Sequence, residues 1–81
     1  MKDRIINIIK KLLDMDESEN LDMNENLLIK GIDSLRFVEM IIQIEEEFSI
    51  LFPDDKMNMF EMDTVNKIFS VVMNIYSGSQ I

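Results

Sequence analysis

A serine set between a glycine-led turn and an apolar-periodic stretch is the residue of this chain best placed to do chemistry. In Gly31-Ile32-Asp33-Ser34-Leu35 the Ser34 hydroxyl falls at the start of a helix. The first N–H groups of a helix lack intrahelical partners and its dipole is positive there, so a phosphodiester built on Ser34 would be stabilised where it stands. Taken alone, Asp33-Ser34 is also ordinary N-cap chemistry, with either residue able to cap. A cap at Ser34 puts Phe37 at the third helical position and a cap at Asp33 puts Arg36 there, so neither completes a reciprocal capping box. If Asp33 caps, Ser34 is left to point outward. A second arrangement lies upstream. Asp14, Asp16, Ser18, Asn20, Asp22 and Glu25 have the spacing of oxygen ligands in a calcium-binding loop, with Leu21 on its apolar position. Glu19 stands where the sharp turn of such a loop requires glycine, which favours a solvated acidic segment with no metal.

The 81-residue chain holds neither cysteine nor histidine. Disulfides, thiol nucleophiles, the usual zinc ligands and both Ser–His and Cys–His catalysis are therefore excluded from the polypeptide itself. Eight basic against sixteen acidic residues give a net charge of −8, which repels nucleic acid and anionic lipid and attracts basic protein patches. Met1-Lys2-Asp3-Arg4-Ile5-Ile6 opens no apolar run long enough for a signal peptide or a membrane span, so a cytoplasmic protein without membrane insertion is expected. The length suits one domain over residues 1–81, with a frayed tail at 77–81.

The elements that must position Ser34 follow from periodicity. Ile5, Ile8, Ile9, Leu12 and Leu13 predict a first helix over Asp3–Asp14. Met15 to Ile32 reads as a long loop pinned by Leu21, Leu27, Leu28, Ile29 and Ile32; its length points to function or to a plain connection in equal measure. From Asp33 or Ser34 to about Ser49 a helix gathers Phe37, Met40, Ile41, Ile44 and Phe48 on its core face. Leu35, Val38 and Ile42 form a second, narrower stripe bordered by Glu39, Glu45 and Glu46. Burying those carboxylates would be costly, so this stripe is expected to face solvent and to contact other proteins. Ile50-Leu51-Phe52-Pro53 closes the helix, with Pro53 unable to continue it. A short turn within Asp54–Met62 is expected to bury Met57, Met59 and Phe60. Asp63 or Thr64 caps a last helix whose apolar face is Val65, Ile68, Phe69, Val72, Ile75 and Tyr76, with Gly78 just past its end.

Gly-x-Asp-Ser-Leu, together with Val38-Glu39, Glu45-Glu46-Glu47-Phe48 and Ile50-x-x-Pro53-Asp54, resembles the acyl carrier protein family over Leu27 to Tyr76, most densely from Asp33 to Asp54. The resemblance implies an all-α four-helix bundle of acyl-carrier type, with a long loop between the first two helices and a short third helix. It also implies that Ser34, flanked by Asp33 and Leu35, receives 4′-phosphopantetheine from coenzyme A through a phosphopantetheinyl transferase. The arm's thiol would carry acyl groups as thioesters for fatty-acid, polyketide or related biosynthesis, and the chain itself, a monomer, would catalyse nothing. Leu35, Arg36, Val38, Glu39, Ile42, Glu45 and Glu46 would meet acyl-transferring, condensing or modifying enzymes through their basic patches.

Two departures change the charge beside the arm. Arg36 stands where fatty-acid carriers usually have an acidic residue, and Lys30 where an apolar residue is common. They point to a client beyond the general fatty-acid synthase, and Asp63-Thr64-Val65-Asn66-Lys67-Ile68 resembles the D-alanyl carrier group, an aminoacyl alternative. The rivals from other classes are an EF-hand-like calcium site at 14–25 and a cofactor-free helical module that binds a partner permanently.

Overall fold

The computed structural model describes residues 2–78, which form α1 (Lys2–Leu12), α2 (Leu27–Lys30), α3 (Ser34–Phe48), a 3₁₀ turn (Asp54–Lys56) and α4 (Val65–Gly78). The described residues are all helical or irregular, as the sequence predicts. Ile5, Ile8 and Ile9 bury one stripe of α1, which packs on both α3 and α4. Its acidic Asp3 lies in the first turn and Lys10 and Lys11 in the last, each complementing the dipole. The helix stops two residues before the expected Asp14. Asp14 instead takes a left-handed conformation, φ 56°, and Met15 N–H donates back to Lys10 C=O at 2.8 Å, which closes the last turn.

The stretch 15–32 is not loop throughout. Asn26 Oδ1 accepts from the N–H groups of Leu28 (2.9 Å) and Ile29 (3.3 Å), and this cap starts α2, a single turn whose four residues are too few for a periodicity to be read. Gly31 ends it at φ 131°, while Ile32 N–H donates to Leu27 C=O at 2.9 Å. A Cβ at Gly31 would meet Leu13 Cδ2 at 3.5 Å, an ordinary contact, so the backbone conformation and not lack of space selects glycine. Leu21, Leu27 and Ile32 are buried as expected and Leu28 is partly so, but Ile29 is 85% exposed because it lies on the solvent side of this single turn.

Polar bonds fasten the long segment to the start of α4. Leu27 N–H donates to Asp63 C=O (2.7 Å) and Asn66 N–H to Met23 C=O (3.1 Å). Asn66 Nδ2 donates to Asn24 Oδ1 (2.8 Å), and Lys2 Nζ donates to Asn66 Oδ1 (2.7 Å). One asparagine therefore holds the loop, α1 and α4 together.

All five residues assigned to the core face of α3 are buried. Ser49, left-handed at φ 55°, ends the helix, and beyond it Ile50 and Phe52 point into the core while Leu51 between them is 80% exposed. The segment 54–62 corrects the sequence reading. Phe60 is 72% exposed, Met57 is exposed and Met59 only partly covered, while Met62 is the buried residue. Asn58 Oδ1 accepts the Phe60 N–H at 3.0 Å, so a local turn carries the aromatic outward and the chain re-enters the core two residues later. Thr64, not Asp63, caps α4, its Oγ1 accepting from Lys67 N–H at 3.1 Å. Val65, Ile68 and Val72 are buried, and Phe69, Ile75 and Tyr76 lie at the edge of the core. Gly78 belongs to the helix instead of following it. Of the tail expected to fray, Ser77 and Gly78 are helical and 79–81 lie outside the described residues.

Candidate functional site

The start of α3 is built by Asp33. Its Oδ1 accepts the Arg36 N–H at 2.8 Å and its carbonyl accepts the Phe37 N–H at 2.8 Å, the first bond of the helical ladder. Asp33 is thus the N-cap and Ser34 the first helical residue, which leaves the Ser34 hydroxyl outside the cap and on the exposed surface. The N–H groups of Ser34 and Leu35 belong to the first turn, where a helix of 15 residues presents its positive end. Arg36 adds a cation: its Nη1 lies 3.5 Å from Asp33 Oδ2, and its Nε donates to Leu12 C=O at 3.1 Å. A nucleophilic hydroxyl, a positive helix end and a guanidinium within one turn make a setting that fits a phosphodiester.

Beside the serine runs the second apolar stripe. Leu35 is 68% exposed, and Val38 and Ile42 are about half exposed on the same flank of α3. Glu39 and Glu46 are exposed next to them. Glu45 is different: half-buried, it accepts the Phe52 N–H at 2.8 Å and so holds the chain that leaves the helix. Sequence reasoning placed Leu35, Val38, Ile42, Glu39 and Glu46 together and the structure does the same, but it missed Leu51. This residue, with Ile42, Glu45, Glu46, Ser49 and Ile50, lines an open groove of about 430 Å³ at the C-terminal end of the stripe. The outward position of Leu51 is signalled by the buried pair Ile50 and Phe52 on either side of it.

Three of the six calcium-loop side chains have other partners. Asp16 Oδ1 accepts the Ser18 N–H (3.2 Å), Asp22 Oδ1 accepts the Asn24 N–H (2.8 Å), and Glu25 pairs with Lys30 at 3.6 Å. Among the described residues no three acidic side chains converge in a way that could hold a metal ion.

The model of the phosphopantetheine attachment site matches residues 3–71, nearly the whole chain. The chain belongs to the phosphopantetheine-attachment family. It is a carrier protein, with 4′-phosphopantetheine as its covalent prosthetic group. Among curated proteins it is similar to the D-alanyl carrier protein of Streptococcus suis, 38% identical over 76 residues covering 93% of this chain and 94% of the relative. The D-alanyl carrier protein of Lactococcus lactis subsp. cremoris is 39% identical over 70 residues, 84% of this chain and 86% of its own. That of Lactobacillus helveticus is 33% identical over 75 residues, 91% and 92%. No solved structure gives a significant match. Membership in the carrier family replaces the cofactor-free reading of the bundle. Among the described residues, no helix is long and apolar enough to cross a membrane.

Proposed function

We propose that this carrier is of the aminoacyl, D-alanyl type, with Ser34 as the point of attachment and D-alanine as the cargo. The single observation that carries the cargo is near full-length similarity to proteins named D-alanyl carriers in three genera. It favours the aminoacyl alternative over fatty-acid or polyketide cargo, and the departures at Lys30 and Arg36 agree with it. Loading is a phosphoryl transfer. Ser34 Oγ attacks the phosphorus of coenzyme A that bears pantetheine, the P–O bond to the adenosine bisphosphate breaks, and the hydroxyl proton passes to a base of the transferase. The arm supplies the thiol that a chain without cysteine does not have.

The chain's own residues position and advertise. Asp33 caps α3 so that Ser34 is presented, Leu35, Val38 and Ile42 give visiting enzymes a small apolar footing, and Glu39 and Glu46 draw their basic patches. Such contacts speed encounter and keep complexes brief and salt-sensitive. Catalysis belongs to those partners. The test uses the arm-loaded chain with an amino-acid-activating ligase of the D-alanine class, ATP and D-alanine, followed by intact mass. The chain is expected to gain one alanyl group at low salt, and Glu39→Lys with Glu46→Lys to gain it at least several-fold more slowly while keeping its helical circular dichroism. No alanyl adduct on a fully armed chain, beside ready acceptance of malonyl or fatty acyl groups, defeats the cargo assignment. Equal rates in the double variant defeat the partner surface.

A further inference from the structure

Arg36 links two helix ends that carry opposite partial charge. Leu12 is the last residue of α1, and its carbonyl is among those an α-helix leaves without an internal partner. Arg36 Nε reaches it at 3.1 Å across 24 residues of sequence, while Nη1 stands 3.5 Å from Asp33 Oδ2. Asp33 in turn accepts the Arg36 N–H at 2.8 Å, so Arg36 ties the cap residue that precedes Ser34 to the end of α1. The Arg36 side chain remains about half exposed, at 49%. It offers five N–H donors in a planar fork, and its fixed positive charge acts on nearby anions whether or not each of these bonds is made.

Attachment at Ser34 adds a phosphodiester anion to the residue directly after the Asp33 carboxylate. Two adjacent anions repel, and the first turn of α3 would be the element to suffer. Lys30, the other cation near in sequence, is paired with Glu25 at 3.6 Å. We infer that Arg36 is the positioning residue of the arm: it holds the start of α3 against the end of α1 and balances the two anions, Asp33 and the phosphodiester, that loading of Ser34 brings together. This rests on Ser34 being the attachment point.

The test is a cycle of thermal midpoints for unloaded and arm-loaded chain, in wild type and Arg36→Gln, with intact mass proving that loading is complete. A purely structural Arg36 would shift both forms equally. Here loading is expected to lower the midpoint of Arg36→Gln by about 4 °C relative to its effect on wild type, with the difference shrinking in high salt. Arg36→Lys, which keeps the charge, is expected to recover most of the wild-type response. Equal loading shifts in wild type and Arg36→Gln overturn the inference, as does a lysine variant that behaves like the glutamine one. Should Arg36→Gln fail to fold, the wild type decides by NMR. The Arg36 Nε–H resonance is expected to move on loading while that of Arg4 stays, and an unmoved Arg36 resonance overturns the inference. A wild type that takes no arm at all defeats the Ser34 reading itself, a result distinct from an armed chain without the coupling.

Discussion

Asp33 carries two duties at once, capping α3 through Oδ1 and pairing with Arg36 through Oδ2. The cap is the larger, since exposed ion pairs contribute little and both side chains here are about half exposed or more. Asp33→Ala is accordingly expected to destabilise the domain by about 1 kcal/mol, a fall of roughly 4–8 °C in thermal midpoint for a chain of this size. Asp33→Asn keeps the capping oxygen and is expected to lose much less. Thermal unfolding followed by circular dichroism checks this, and equal losses would assign the stability to charge instead. At this scale Ser34 was readable in the sequence because everything that presents it is contiguous: a glycine, a cap and the start of a helical pattern. The bond from Arg36 to Leu12 was not readable, since it depends on how two helices cross. Glu45 was misleading for a similar reason. Its place beside the exposed stripe is visible in the pattern, whereas its bond to Phe52 N–H depends on how the chain folds back after Ser49.

The long helices declared themselves through repetition. Phe37, Met40, Ile41, Ile44 and Phe48 recur at helical spacing over about three turns, and an amphipathic pattern of that length has few alternative solutions. Leu27-Leu28-Ile29-Lys30 covers barely one turn, so composition alone marks it as apolar, and only Asn26 before it and Gly31 after it signal a capped helix. The same brevity hid which side of the turn is buried. Leu27 is 1% exposed and Ile29 85%. Leu27→Ala is therefore expected to cost about 2–5 kcal/mol, and Ile29→Ala about 0.5 kcal/mol or less, read from urea unfolding. Similar costs at both positions would contradict this orientation of α2, and reversed costs would mean that it packs by its other face. Between Asp54 and Met62 a cluster of methionines and Phe60 gave several candidates for one place in the core, and hydrophobicity could not choose Met62 among them.

As a whole the molecule separates tasks along α3. The N-terminal end presents a hydroxyl, the core face joins α1, and the solvent flank offers apolar contact among carboxylates. A net charge of −8 on 81 residues favours long-range attraction to basic patches, and a small apolar stripe suits the brief encounters that the proposed carrier role requires. Fold class and the helix start that exposes the Ser34 hydroxyl follow from local pattern. The cargo does not, because D-alanine, acetate or a longer acyl group would hang from the same arm on the same serine, and relatives rather than spacing favour D-alanine. The central claim is that Ser34 alone bears the arm. Incubation with coenzyme A and a broad-specificity phosphopantetheinyl transferase, read by intact mass, tests it most directly. Wild type is expected to gain the mass of one 4′-phosphopantetheine and Ser34→Ala none. A folded wild type that stays unmodified, or a Ser34→Ala variant that is modified, would contradict it.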